Sequence, residues 1–103
     1  MDRAWATEAY EALTQGRVVQ VRPRGDSMKG QINDGDLVTL EPCVAEELAV
    51  GDIVFVRVRG WLLVLHQIFD REPDRFLIGT TTGRADGWVT ADDIIGRVTK
   101  VEP

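Results

Sequence analysis

Ser27 is the residue whose setting could do chemistry. It lies in Arg24-Gly25-Asp26-Ser27-Met28-Lys29-Gly30-Gln31-Ile32-Asn33-Asp34-Gly35-Asp36. A serine on a tight Gly/Asp turn has an open hydroxyl and backbone N–H groups beside it, which is what nucleophilic catalysis and oxyanion stabilisation need. Gly-Asp-Ser is also an ordinary surface turn, because Gly accepts positive φ and Asp and Ser bond their own backbone. A serine hydroxyl needs a base within hydrogen-bond reach. The chain has one histidine, His66, inside the apolar run Trp61-Leu62-Leu63-Val64-Leu65-His66-Gln67-Ile68-Phe69. A reference pKa of about 6.5 suits histidine to proton transfer near neutral pH. Read alone, a histidine in an apolar strand is as readily a packed, hydrogen-bonded side chain. The one cysteine, Cys43, follows Pro42 and has no partner at zinc-ligand spacing, so it reads as a packing residue. No metal or cofactor is expected.

These residues need elements to position them. Residues 4–15 carry Trp5, Ala6, Ala9, Tyr10 and Leu13 at helical spacing and end at Gly16, which predicts a short helix with its aromatic residues docked on a sheet. Residues 17–22 predict a strand that Pro23 ends. Residues 37–40 predict a second strand and 43–49 a loop or helical turn. The box Val50-Gly51-Asp52-Ile53-Val54 repeats Asp34-Gly35-Asp36-Leu37-Val38. In both, the aspartate is expected to cap a turn that launches a strand. Residues 53–58 and 61–69, split by Arg59-Gly60, predict a hairpin. A polar turn at 70–74, a strand at 75–79, a polar loop at 80–87 and a last strand at 94–98 complete the chain.

The stretch around Ser27 resembles the nucleophile box of the LexA/type I signal peptidase superfamily, the S24/S26 serine peptidases, which reads roughly G-x-S-M-x-P, then an apolar residue, then G-D and a strand. Gly25, Ser27, Met28, Ile32, Gly35 and Asp36 fall in register, and Gly30 stands where that family usually has proline. The resemblance implies a mainly β fold of coiled, partly closed antiparallel sheets with one short N-terminal helix. It implies a single domain over 1–103, with the β core at about 17–101. The strand matching the family's base places His66 where LexA-type proteins carry lysine, as in the archaeal and endoplasmic-reticulum signal peptidases. Gln67 replaces the usual following arginine. The family's G-D-N after the next strand becomes Gly79-Thr80-Thr81, and Ile94-Ile95-Gly96-Arg97-Val98 matches its closing strand. Asp86 falls where a later family aspartate lies, which makes it the candidate orienter of His66. The competing readings of that position are a plain Asp-Gly turn, and Asp26 as the orienter. The oxyanion donor would be the Ser27 N–H, with Gly25, Asp26 and Met28 shaping the turn.

What the resemblance implies is peptide-bond hydrolysis by a Ser27–His66 dyad through an acyl-enzyme, with a peptide or protein substrate bound as an added strand. A second reading is a peptide-binding or regulatory module that keeps the fold without the chemistry. Self-cleavage is not expected, because no Ala-Gly segment precedes the serine. A homodimer is compatible with the LexA branch. The net charge of -5 argues against nucleic-acid binding, which runs on clustered Lys and Arg. The pairs Arg22/Arg24 and Arg57/Arg59 read as solvated strand faces. No apolar run approaches the ~20 residues a membrane helix needs, and no secretory leader is seen, so a cytoplasmic location is expected.

Overall fold

The computed structural model describes residues 3–103. Its core is one seven-stranded antiparallel sheet in the order β1-β2-β7-β3-β4-β5-β6. The strands are β1 (Val19–Val21), β2 (Leu37–Glu41), β3 (Ile53–Val58), β4 (Leu62–Glu72), β5 (Arg75–Gly79), β6 (Ala85–Val89) and β7 (Ile94–Glu102). One helix, α1 (Ala4–Thr14), packs on the sheet. The fold is therefore mainly β with a short N-terminal helix.

Helix α1 buries Ala6, Ala9, Ala12 and Leu13, a stripe at helical spacing that faces the sheet. Three of the four are alanines, so helix and sheet approach closely. Gly96 on β7 completes that fit: a Cβ there would lie 2.9 Å from a Leu13 methyl. Trp5 docks as expected, its ring centroid 5.9 Å from that of Phe55. Tyr10, expected to dock too, is exposed, because it lies at the edge of the buried stripe. The helix stops at Gly16, whose φ is +77°. Its N–H bonds Leu13 O, and the Arg17 N–H bonds Ala12 O, a paired closure that needs a left-handed residue.

Four boundaries differ from the sequence reading. Strand β1 is shorter, three residues at Val19–Val21. Strand β4 runs on through Glu72, because Pro73-Asp74 alone make the hairpin turn to β5. Strand β7 continues to Glu102 to pair with β2. The largest difference is at 80–87, read as a polar loop: its second half is strand β6. Strands β5 and β6 shift register between Ile78 and Gly79, with Ile78 opposite Gly87 and Gly79 opposite Ala85. Asp86 is the extra residue of that bulge. A bulge breaks the alternation by which a strand is recognised in sequence, and it re-aims the side chain it carries.

Both Gly-Asp boxes are turn caps. Asp36 Oδ2 accepts the Asn33 N–H at 2.8 Å, and Asp52 Oδ2 accepts the Ala49 N–H at 2.9 Å. The second box also joins β4, since the Gly51 N–H bonds Ile68 O and the Ile68 N–H bonds Asp52 O. Cys43 packs against the core formed by β3, β4 and β5, and burial pushes its thiol pKa up, as a packing role requires. The four arginines read as solvated faces each meet an acceptor: Arg22 donates to Gly35 O, Arg24 pairs with Asp34, Arg57 with Asp93 and Arg59 with Asp86. Among the described residues, no helix is long and apolar enough to cross a membrane.

Candidate active site

The turn that carries Ser27 is pinned from within. Met28 and Ile32 are buried, whereas Ser27 between Asp26 and Met28 is exposed. The N–H groups of Gln31 and Ile32 both bond Met28 O, and the Lys29 N–H bonds Asp26 O. At the entry, the Gly25 N–H donates to Asp34 Oδ1 at 2.8 Å. This bond, followed by the Arg24 guanidinium, holds the Asp34 carboxyl below its ordinary pKa. Gly30 has φ +96°. Proline, locked near -65°, cannot take that conformation, so the turn here follows a glycine path in place of the family's proline.

His66 lies on β4, opposite Val54 of β3, and is 5% exposed. Its Nε2 is 3.2 Å from Ser27 Oγ. Its Nδ1 is 2.5 Å from Asp86 Oδ2. An ionised carboxylate can only accept, so Nδ1 carries the proton and donates to it. In neutral imidazole that leaves Nε2 with a lone pair facing the serine hydroxyl. The bulge on β6 delivers Asp86 to the ring from one side, and the Gly/Asp turn delivers Ser27 from the other. Asp26 is exposed and does not reach His66 among the hydrogen bonds and ion pairs of the described residues, whereas Asp86 does.

Three residues that the sequence reading noted only as departures from the family pattern hold this arrangement. Thr81 donates its backbone N–H to Ser27 O at 3.2 Å, and its hydroxyl donates to Ser27 O at 3.3 Å and Lys29 O at 3.0 Å. Thr80 is buried, with its hydroxyl accepting the Arg84 N–H and sharing a hydrogen bond with Thr82. Gln67 donates to Thr80 O at 3.3 Å and accepts from Gln31 at 3.4 Å, joining β4, the Thr80 loop and the serine turn. The signal for two of them was that Thr80-Thr81 stand where the resembling families carry Asp-Asn.

A cleft opens beside Ser27. Trp5, Pro23, Met28, Ile32, Val64 and Leu65 give it apolar walls, and Arg3 and Arg24 also line it. Arg3, just before α1, lies 5.3 Å over the Trp5 ring and donates to Leu63 O, and through Trp5 the helix itself contributes to this wall. Among the described residues, no group of three or more His, Cys, Asp or Glu side chains is arranged to hold a metal ion. The cleft is thus a groove of mixed character, with apolar walls, two arginines and Ser27 in its lining.

No curated protein matches the chain. A family model does, that of the Peptidase S24-like family, over residues 3–99. The match takes in the serine turn, the histidine strand, the bulged β6 and most of the closing strand. With nearly its whole length matched, the chain belongs to the Peptidase S24-like family.

Proposed function

We propose that the protein is a serine peptidase in which Ser27 is the nucleophile, His66 the general base and Asp86 the group that orients His66. The observation that carries the reading is the continuous path Ser27 Oγ–His66 Nε2 at 3.2 Å and His66 Nδ1–Asp86 Oδ2 at 2.5 Å. Unliganded sites of this kind are often looser than 3.2 Å. In the first step Ser27 Oγ attacks the substrate carbonyl carbon and its proton passes to His66 Nε2. Asp86 accepts from Nδ1 and stabilises the imidazolium that forms. The oxyanion takes the Ser27 N–H, beside the N–H groups of Asp26 and Met28. On collapse the C–N bond breaks, and the amine leaves with the proton from Nε2. Water then attacks the acyl-serine, giving its proton to His66 as the C–Oγ bond breaks, and Oγ takes the proton back.

In this reading histidine does the work of the lysine that LexA-type proteins use. It needs less environmental tuning, because the reference pKa of a histidine side chain already lies near neutrality. The substrate is a peptide or protein whose backbone enters as an extended strand beside the cleft. The test is a peptide mixture incubated with the protein and followed by mass spectrometry. Cleavage products together with an acyl adduct on Ser27, both absent in Ser27→Ala, would support the peptidase. Saturable peptide binding without cleavage or adduct would reject it in favour of a binding module.

A further inference from the structure

Arg59 sits in a backbone conformation that its side chain does not favour. It is the one non-glycine with positive φ among the described residues, at +55°, and Gly60 follows at +79°. The Trp61 N–H closes the turn onto Val58 O at 3.2 Å. It is a turn whose two central residues both have positive φ, inside a three-residue loop in which Val58 pairs with Leu62, and the pair that suits two such residues best is Asn-Gly or Asp-Gly. A long side chain at the first position carries local strain, and such strain concentrates where function over-determines the backbone. The hairpin itself, β3 to β4, also carries His66.

The Arg59 side chain points to a reason. Its Nη2 is 4.0 Å from Asp86 Oδ1, the carboxylate oxygen that His66 does not use. The Asp86 side chain is 3% exposed and that of Arg59 is 55% exposed. A carboxylate so buried needs compensation. While His66 is neutral, Arg59 is the permanent cation within ion-pair reach of Asp86 among the described residues. One hairpin therefore serves both oxygens of the acid: His66 is hydrogen-bonded to Oδ2, and Arg59 stands within ion-pair distance of Oδ1.

Building on the Ser27–His66–Asp86 reading, we propose that Arg59 is a positioning residue: it compensates the Asp86 carboxylate and fixes its rotamer, so that Oδ2 stays on His66 Nδ1. It acts through Asp86 and touches neither the serine nor the substrate. The left-handed turn is what lets a residue beyond the end of β3 reach back to the bulge of β6.

The experiment uses Arg59→Asn, which suits the turn and removes the cation, and Arg59→Lys, which retains the charge. Two quantities are read: the rate of Ser27 phosphonylation by a fluorophosphonate, and the proton resonance of the His66 Nδ1–H, free of overlap because His66 is the only histidine. Arg59→Asn is expected to slow labelling roughly three- to tenfold, as for a partly exposed ion pair. Its Tm should be equal to or above that of the native protein, and its Nδ1–H resonance displaced. Arg59→Lys is expected to recover most of the rate. In an Asp86→Asn background, Arg59→Asn should cost nothing further. A native labelling rate in Arg59→Asn, or the same loss with Asp86 already neutral, overturns the proposal. If the native protein does not label at all, the resonance separates the two claims. A displaced Nδ1–H in Arg59→Asn keeps the clamp while the peptidase reading falls, and an unmoved one rejects the clamp itself.

Discussion

The turn that presents Ser27 and the strand that presents Asp86 meet the two nitrogens of the His66 ring, and they are built differently. The serine turn closes on itself: Gly25 bonds Asp34, Gly30 bonds Asn33, and Met28 and Ile32 anchor it in the core. Apart from those made with Thr81, Gln67 and His66, its bonds span thirteen residues or fewer. The loop ahead of the acid arm, residues 80–84, is closed by local bonds, but these stop short of Asp86. Asp86 is aimed by a bulge that exists only because β6 pairs with β5 in a shifted register. The difference is one of how a side chain is specified, by its neighbours in sequence or by its neighbours in space. A locally built turn keeps its form wherever the chain places it, whereas a bulge depends on the whole sheet being formed.

The comparison can be sharpened by perturbing each arm. The largest effect expected is on catalysis. Asp86→Asn keeps the shape of the acid arm and removes its charge, and in serine peptidases such a change lowers kcat by up to about 10⁴-fold. Steady-state kinetics on a cleaved peptide should show a loss of roughly 10²- to 10⁴-fold in kcat with KM little changed. A loss below tenfold would mean that His66 is oriented by something else. Next is stability. A Cβ at Gly79 would come within 2.2 Å of the Phe69 ring and 2.7 Å of Arg84 O. Gly79→Ala should therefore destabilise the protein by about 1–3 kcal/mol, the range for overpacking. Thermal unfolding would show it, and an unchanged Tm would mean that the β5–β6 junction adapts freely.

Thr81→Val tests the link between the two arms. It removes the hydroxyl bonds to Ser27 O and Lys29 O and keeps the backbone bond. The expected loss is about 1 kcal/mol, typical of a hydrogen bond, seen as a several-fold slower labelling of Ser27 with the fold intact. A native rate would show that the serine turn is self-sufficient. The smallest effect is on Asp34. Its carboxyl is held low chiefly by the Gly25 N–H, then by Arg24. A lowered carboxyl contributes stability that is present above the unfolded aspartate range, about pH 4, and is lost as pH falls through the folded value. The Gly25 amide resonance should therefore titrate with a midpoint below that range. A midpoint at or above it would remove the link between Asp34 and the turn.

The same contrast explains what could be read from the sequence. The serine turn, the two Gly-Asp caps, Gly16 and His66 were legible because Gly, Asp and an isolated histidine in an apolar run act through local chemistry. The mainly β fold and the hairpin at Arg59-Gly60 were legible from apolar runs and turn residues. Strand β6 was not, since a bulge and Gly87 hide its alternation. Tyr10 was assigned to the docked face because the helical period alone does not fix the width of a buried stripe. Thr80, Thr81, Gln67 and Arg59 were not read as parts of the site, because each contributes through a partner distant in sequence. Asp86 could be named as an orienter by resemblance, but its aim comes from the register of β5 against β6.

The measurement that tests the central claim most directly is fluorophosphonate labelling of the native protein and of His66→Ala, with mass spectrometry to locate the adduct. The account predicts a single adduct on Ser27 in the native protein, formed at least about 10²-fold more slowly without the base. An adduct on Ser27 that forms at the same rate in His66→Ala would contradict it, because the hydroxyl would then owe its reactivity to another group.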